Sequence, residues 1–222
     1  MKIFVKITFG ILGILLLSCS DQDENQQFRK DISVLIVGNS ILQHAPAPNI
    51  GWYGDWGMAA SAPEKDFYRI YSKLLTDSGK YTSVEVDAKN IGHWEVDFTY
   101  DLNQYVDISS KSYDVFIVRL GENVGNTDEY YSALTDMINH FKHSETKVII
   151  TGMVWEHLVK ESIQQQVADD NDYLFVPTTD FHHNLSYFSF DLFENREVAG
   201  HPSDLGMQNI AELLYNATIE AL

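Results

Sequence analysis

A hydroxyl becomes a working nucleophile when a base takes its proton and donors steady the oxyanion that its attack creates. Four residues of this chain could supply those parts. Ser40 follows an apolar, β-branched run, Ile32 to Val37, that stops at Gly38-Asn39. Glycine allows a sharp turn there and asparagine tolerates unusual backbone angles, so Ser40 would stand at the lip of a buried strand. His201, in Gly200-His201-Pro202-Ser203, is the best-placed imidazole to take its proton. Asn90-Ile91-Gly92 and Gly121-Glu122-Asn123 each follow a further strand candidate. Gly92 would offer a backbone N–H with no side chain in the way, and Asn123 a side-chain amide. The chemistry open to such a set is acyl transfer. Taken singly, each residue is also an ordinary turn or loop residue.

These residues need a frame to bring them together. A continuous apolar run bounded by a turn signal reads as a strand buried on both faces, the kind found in helix-covered parallel sheets. Strand candidates are Ile32–Val37, Val84–Ala88, Asp114–Leu120, Lys147–Gly152 and Tyr173–Pro177. Between them, helical character marks Lys65–Ser78, Asp97–Val106, Asp128–His143 and His157–Ala168. A last helix over Ser203–Ala221 carries Leu205, Ile210, Leu213 and Leu214 near helical spacing, with Ser203 as cap and Asp204 as dipole partner. This alternation predicts an α/β fold: a three-layer α/β/α sandwich on a five-stranded parallel sheet. In such a sheet ligands gather beyond the carboxyl ends of the strands.

Gln43–Glu64 breaks the alternation. It holds Pro46, Pro48, Pro63, Gly51, Gly54 and Gly57, so regular structure is not expected. A loop of about twenty residues is uncommon in a compact domain. Its Trp52, Tyr53, Trp56 and Met58 argue that it folds over something. Those aromatic rings would either stack on sugar rings or pack as a lid. Trp155, in Trp155-Glu156-His157 after the fourth strand, could line the same pocket, and Glu122, beside Asn123, is a further candidate for binding substrate there. His44 and the pair His182-His183 raise the question of a metal. Adjacent histidines point to opposite faces of a strand and no carboxylate stands at ligand spacing, so neither a metal nor any other cofactor is expected.

Taken together, Ser40 after the first strand, Gly92 after the second, Asn123 after the third and His201 before the last helix resemble the four blocks of the SGNH (GDSL-like) hydrolase superfamily. The likeness rests mainly on Ile36-Val37-Gly38-Asn39-Ser40, Gly121-Glu122-Asn123 and His201-Pro202-Ser203, and spans Val34 to about Met207. It implies a flavodoxin-like strand order and an ester hydrolase with Ser40 as nucleophile and His201 as base. It also implies an oxyanion hole from the Ser40 N–H, the Gly92 N–H and the Asn123 side chain. The chain departs from the family pattern at three places: Asn39 replaces an aspartate, Val124 replaces another, and Val198 stands where an acid is expected three residues before the histidine. A Ser40–His201 dyad is therefore expected, with the Val198 carbonyl orienting the imidazole. Glu194 is the alternative orienting acid, with Asp191 and Glu197 behind it. The expected substrate is a small acyl ester, O-acetyl carbohydrate foremost. The other class of reading is a glycan-binding protein that kept the fold and lost the chemistry, and Val198 is its best argument.

The N-terminus implies where this happens. Lys2 and Lys6 precede an apolar core, Ile7 to Leu17, too short for a bilayer span of about 20 residues. Leu16-Leu17-Ser18-Cys19 resembles a lipoprotein processing site. The resemblance implies a signal over residues 1–18, lipidation of Cys19 (the chain's single cysteine) and membrane anchoring of the exported protein. A polar tether over 19–30 would follow, with a single hydrolase domain over 31–222. Its acidic run resembles export signals to the outer membrane or cell surface. The formal net charge is −17, and loss of Lys2 and Lys6 would make it more negative still. Such a protein repels nucleic acid and anionic lipid, and a neutral or cationic substrate suits it better than a phosphorylated one.

Overall fold

The computed structural model describes residues 30–222. The leader expected over residues 1–18, the expected lipidation at Cys19 and the tether expected up to residue 29 all fall outside the described residues. Five strands, β1 (Lys30–Gly38), β2 (Tyr81–Asn90), β3 (Val115–Arg119), β4 (Lys147–Thr151) and β5 (Leu174–Val176), form one parallel sheet in the order β2-β1-β3-β4-β5. Lys30, placed at the end of the tether by sequence, already belongs to β1.

Alternation along the central strands divides the core in two. Val34, Ile36, Val115, Ile117 and Ile149 face the layer of α1 (Phe67–Asp77) and the terminal helix, burying Tyr71, Leu75, Ile210 and Leu214. Leu35, Val37, Phe116, Val118 and Ile150 face the opposite layer, of α4 (Tyr130–Phe141) and α5 (Leu158–Asn171). Both faces of β1 and β3 are covered, which is why these strands read as unbroken apolar runs. The terminal helix α8 (Asp204–Ala221) starts where expected, with the Ser203 hydroxyl accepting from the Gly206 N–H at 3.3 Å.

The helix expected over Asp97–Val106 does not form. That stretch is flanked by the short α2 (His93–Val96) and α3 (Val106–Ser109), with a 3-10 turn at Leu102–Tyr105. Asp97 accepts from the backbone and hydroxyl of Thr99, and Asp101 from the backbone and side chain of Asn103. Such local side-chain bonds compete with helical ones and leave the backbone turned. His182 and His183 lie in a short helix, α6 (Thr179–His183), not in a strand.

The register aligns the strand ends that matter. Gly38 pairs with Asn90 of β2 on one side and with Arg119 of β3 on the other. The three turns that follow therefore leave the sheet at one level. Sheet order reverses between β1 and β3, and a crevice at the carboxyl ends opens at such a switch point.

Candidate active site

Ser40 leaves β1 through a turn that only glycine can open. A Cβ on Gly38 would meet the Leu42 Cβ at 2.7 Å. The turn is fixed by Leu42 and Gln43 N–H groups donating to the Asn39 carbonyl, and by the Ile41 N–H donating to Asn39 Oδ1. The Ser40 hydroxyl lies 2.7 Å from His201 Nε2, across 161 residues of sequence. Nδ1 of the same ring is 2.7 Å from the Glu197 carbonyl oxygen. A carbonyl only accepts, so Nδ1 carries the proton and Nε2 presents its lone pair to the serine. Burial holds the His201 pKa below the ordinary histidine value, against the Glu197 carbonyl and the Glu122 charge, which favour the cation. The imidazole is therefore neutral, and basic, at neutral pH.

The orienting carbonyl is that of Glu197, not of Val198 as expected from sequence. The short helix α7 (Arg196–Ala199) explains the difference. Helix ends leave carbonyls without intrahelical partners. Here the Arg196 carbonyl takes the Gly200 N–H and the Val198 carbonyl takes the His201 N–H, which leaves Glu197 for the imidazole. The side chains of Asp191, Glu194 and Glu197 are exposed, and none is hydrogen-bonded to His201. Glu194 is thus not the orienting acid.

A cleft of about 370 Å³ opens over the pair, lined by Ser40, Asn123, Trp155, Phe190, Arg196 and His201 among others. Trp155 is 46% exposed, stacks on Phe188 at 4.3 Å and donates its indole N–H to the Gly200 carbonyl. Arg196 lies over the Phe190 ring at the same mouth. Sequence reasoning does not single out Phe190 and Arg196, because nothing sets them apart within a loop that mixes aromatic and charged residues.

The long loop packs as a lid and does not offer its tryptophans to the cleft. Trp52 is buried, edge-on to Trp56 and against Phe193, in a cluster with Met58, Ala59 and Val198. Both indole N–H groups are satisfied within the loop, by the His44 and Ala60 carbonyls. Tyr53 is exposed and, like Trp52 and Trp56, does not line the cleft. The Met58 N–H donates to the Ser40 carbonyl and Asp204 accepts from both Ser61 donors, tying the lid to the Ser40 turn and to α8.

Gly92 also differs from expectation. Its N–H donates to Asn90 Oδ1 at 2.7 Å, and the residue does not line the cleft. A Cβ there would come within 3.2 Å of the Asn39 Cβ, so the glycine serves the close approach of two turns.

Asn123 does reach the cleft, on a turn whose polar groups are almost all held. Gly121, at φ +135°, bends the chain after β3. Gln164 and Lys160 reach up from α5 to the carbonyls of Leu120, Gly121 and Glu122. From the other side Glu95, buried in α2, accepts from the Gly121 N–H, from Asn123 Nδ2 at 2.7 Å and from Asn39 Nδ2 at 3.2 Å. Glu122, expected as a substrate-binding residue, is occupied: it accepts from Arg119, Val154 N–H and Asn39. Burial pushes the Glu122 carboxyl up, but the Arg119 guanidinium prevails and holds it below the usual range. Burial and the nearby Glu122 charge push Glu95 the other way, above that range. The Asn39 amide is the donor that both carboxylates share.

Among the described residues no group of three or more histidine, cysteine or acidic side chains is arranged to hold a metal.

The chain matches no protein-family model and no curated protein significantly. Solved structures do share its fold. It is similar to LAE5, an α/β hydrolase from the metagenome of Lake Arreo, with a TM-score of 0.60 and 16% identity over 86% of this chain and 96% of that one. It is similar to a protein of Parabacteroides merdae described as a GDSL-like lipase, with a TM-score of 0.56 and 16% identity over 86% and 96%. A two-domain esterase active on acetylated mannans gives a TM-score of 0.54 and 14% identity, covering 87% of this chain and 50% of that larger one. The five-stranded parallel α/β fold is shared with these structures.

Proposed function

We propose that this protein is a serine ester hydrolase that removes small acyl groups, O-acetyl foremost, from carbohydrate. The observation that carries the reading is the Ser40 hydroxyl 2.7 Å from an imidazole whose far nitrogen is held by a main-chain carbonyl, at the floor of an open cleft. In this mechanism His201 Nε2 takes the serine proton as Oγ attacks the ester carbonyl carbon. The oxyanion is met by the Asn123 amide and the Ser40 N–H. Collapse breaks the ester C–O bond, and the imidazolium returns its proton to the departing alcohol. Water, deprotonated by the same imidazole, then releases the acid and restores Ser40.

The substrate class rests on the cleft mouth. Trp155 and Phe190 present aromatic surface suited to the apolar face of a sugar. Fold neighbours include an esterase described as active on acetylated mannans, which supports the same choice. The acidic composition favours neutral glycans over phosphorylated ones. The leader-like N-terminus and Cys19 support an exported, lipid-anchored enzyme at the outer membrane or cell surface, its catalytic domain beginning near residue 31.

The test is turnover of p-nitrophenyl acetate and of O-acetylated oligosaccharides by the wild type beside Ser40→Ala. Acetate release by the wild type, lost in a variant that melts within a few degrees of it, is expected. Equal release by Ser40→Ala, or none by a folded wild type, would overturn the reading.

A further inference from the structure

Asn123 can serve an oxyanion only if its nitrogen, not its oxygen, faces the cleft. The two ends of a side-chain amide have nearly the same shape and opposite polarity. A rotation of about 180° at the end of the side chain would replace a donor by a lone pair and repel the charge it should stabilise. Something must therefore choose between the two orientations.

We infer that Glu95 is the positioning residue that makes this choice, by presenting an acceptor-only carboxylate to Asn123 Nδ2 from beneath the cleft. Glu95 is 1% exposed. Its Oε2 lies 2.7 Å from Asn123 Nδ2, and its Oε1 accepts from the Gly121 N–H. Its other partners are the Asn39 amide nitrogen, 3.2 Å from both oxygens, and the Asn123 backbone N–H, 3.5 Å from Oε1. Every one of these partners is a donor, so the site suits a carboxylate and no group that must also donate. One Asn123 N–H is spent on Glu95, which leaves the second for the cleft that Asn123 lines. The flipped amide would set Oδ1 against a buried carboxylate, a contact between two acceptors that buried groups avoid. Through Asn39 the same carboxylate is tied to the residue preceding the nucleophile, so one side chain keeps Ser40 and Asn123 in a fixed relation. Glu95 touches no reacting atom; it acts through Asn123.

The inference rests on the hydrolase reading for its kinetic consequence, and Glu95→Gln tests it. Glutamine fills the same space but brings an N–H₂ end that can donate to Oδ1 of a flipped Asn123. The expected result is a fall in kcat for p-nitrophenyl acetate of about 10-fold to 100-fold with KM within about threefold. That is less than the roughly 10²–10³-fold expected for outright loss of an oxyanion donor in Asn123→Ala. The double variant Glu95→Gln/Asn123→Ala should be no slower than Asn123→Ala alone, because the two residues act as a unit. Multiplying losses, or an unchanged kcat in Glu95→Gln, would overturn the assignment. A second measurement stands if Glu95→Gln does not fold. In the ¹⁵N–¹H spectrum of the wild type, assigned by difference from Asn123→Ala, one Asn123 amide proton should be shifted downfield and exchange slowly. Two fast-exchanging, unshifted protons would contradict the inference. An inactive wild type with the protected amide proton would instead refute the hydrolase reading and leave the contact standing.

Discussion

His201 is held through Nδ1 by the main-chain carbonyl of Glu197, at 2.7 Å, and by no carboxylate among the described residues. A carbonyl fixes the tautomer and orientation of an imidazole but brings no full charge to the cation formed on proton transfer. In the proposed mechanism, a Ser40–His201 dyad of this kind separates two tasks that a triad acid performs together.

The nearby acids should then matter little. Glu194→Gln, Asp191→Asn and Glu197→Gln should each keep kcat within about tenfold of the wild type, while His201→Ala should lose roughly 10³-fold or more. Steady-state kinetics on p-nitrophenyl acetate decides it. An amide substitution as damaging as His201→Ala would identify a missing acid.

The pH profile follows from the sign of the His201 shift. The base must be neutral, and burial lowers its pKa. The acid limb of kcat/KM should therefore have its midpoint below about 6.5, the ordinary histidine value, with a plateau through neutral pH. A midpoint above that value would mean that the imidazole is held as a cation.

Asn39 is a donor between two acids, Glu95 and Glu122, the second paired with the buried Arg119. Asn39→Asp would bring three carboxylates together with no proton between them. It should cost about 3 kcal/mol at pH 8, on the scale of breaking a buried ionic contact. The cost should shrink toward pH 5, where a raised carboxyl pKa lets one of them protonate. Denaturant unfolding at the two pH values measures both, and an equal loss at each would refute the charge argument.

Anchoring is tested at the other end of the chain. Cys19→Ser should release the protein from the membrane fraction or leave its leader uncleaved. Correctly processed protein that stays in the membrane fraction would exclude Cys19 as the anchor.

The sheet was legible because its chemistry is local and periodic. β1 and β3 announce themselves as buried runs, and the turns after them carry Ser40 and Asn123 in plain sequence. Legibility failed where a residue's partner is distant or where two local bonds compete. Nothing around His93-Trp94-Glu95-Val96 reveals that Glu95 meets Asn39, 56 positions away. The one usable signal was Asn39 itself, a buried-turn amide whose donor calls for an acceptor supplied from elsewhere. Trp52 and Trp56 signalled an ordered loop correctly, but their indole bonds turn them inward to Val198 and Phe193. At Asp97 and Asp101, side-chain bonds to the backbone two residues on defeated the helical pattern.

The central claim is that Ser40 is an activated nucleophile, and covalent capture reads it most directly. A fluorophosphonate ester should form a phosphorus–oxygen bond with Ser40 Oγ as fluoride leaves and His201 takes the serine proton. Mass spectrometry of the digested wild type should place a stoichiometric adduct on the peptide containing Ser40, in step with loss of esterase activity. The adduct should be absent in Ser40→Ala and slowed at least a hundredfold in His201→Ala. An adduct elsewhere, or full inactivation with Ser40 unmodified, would contradict the account.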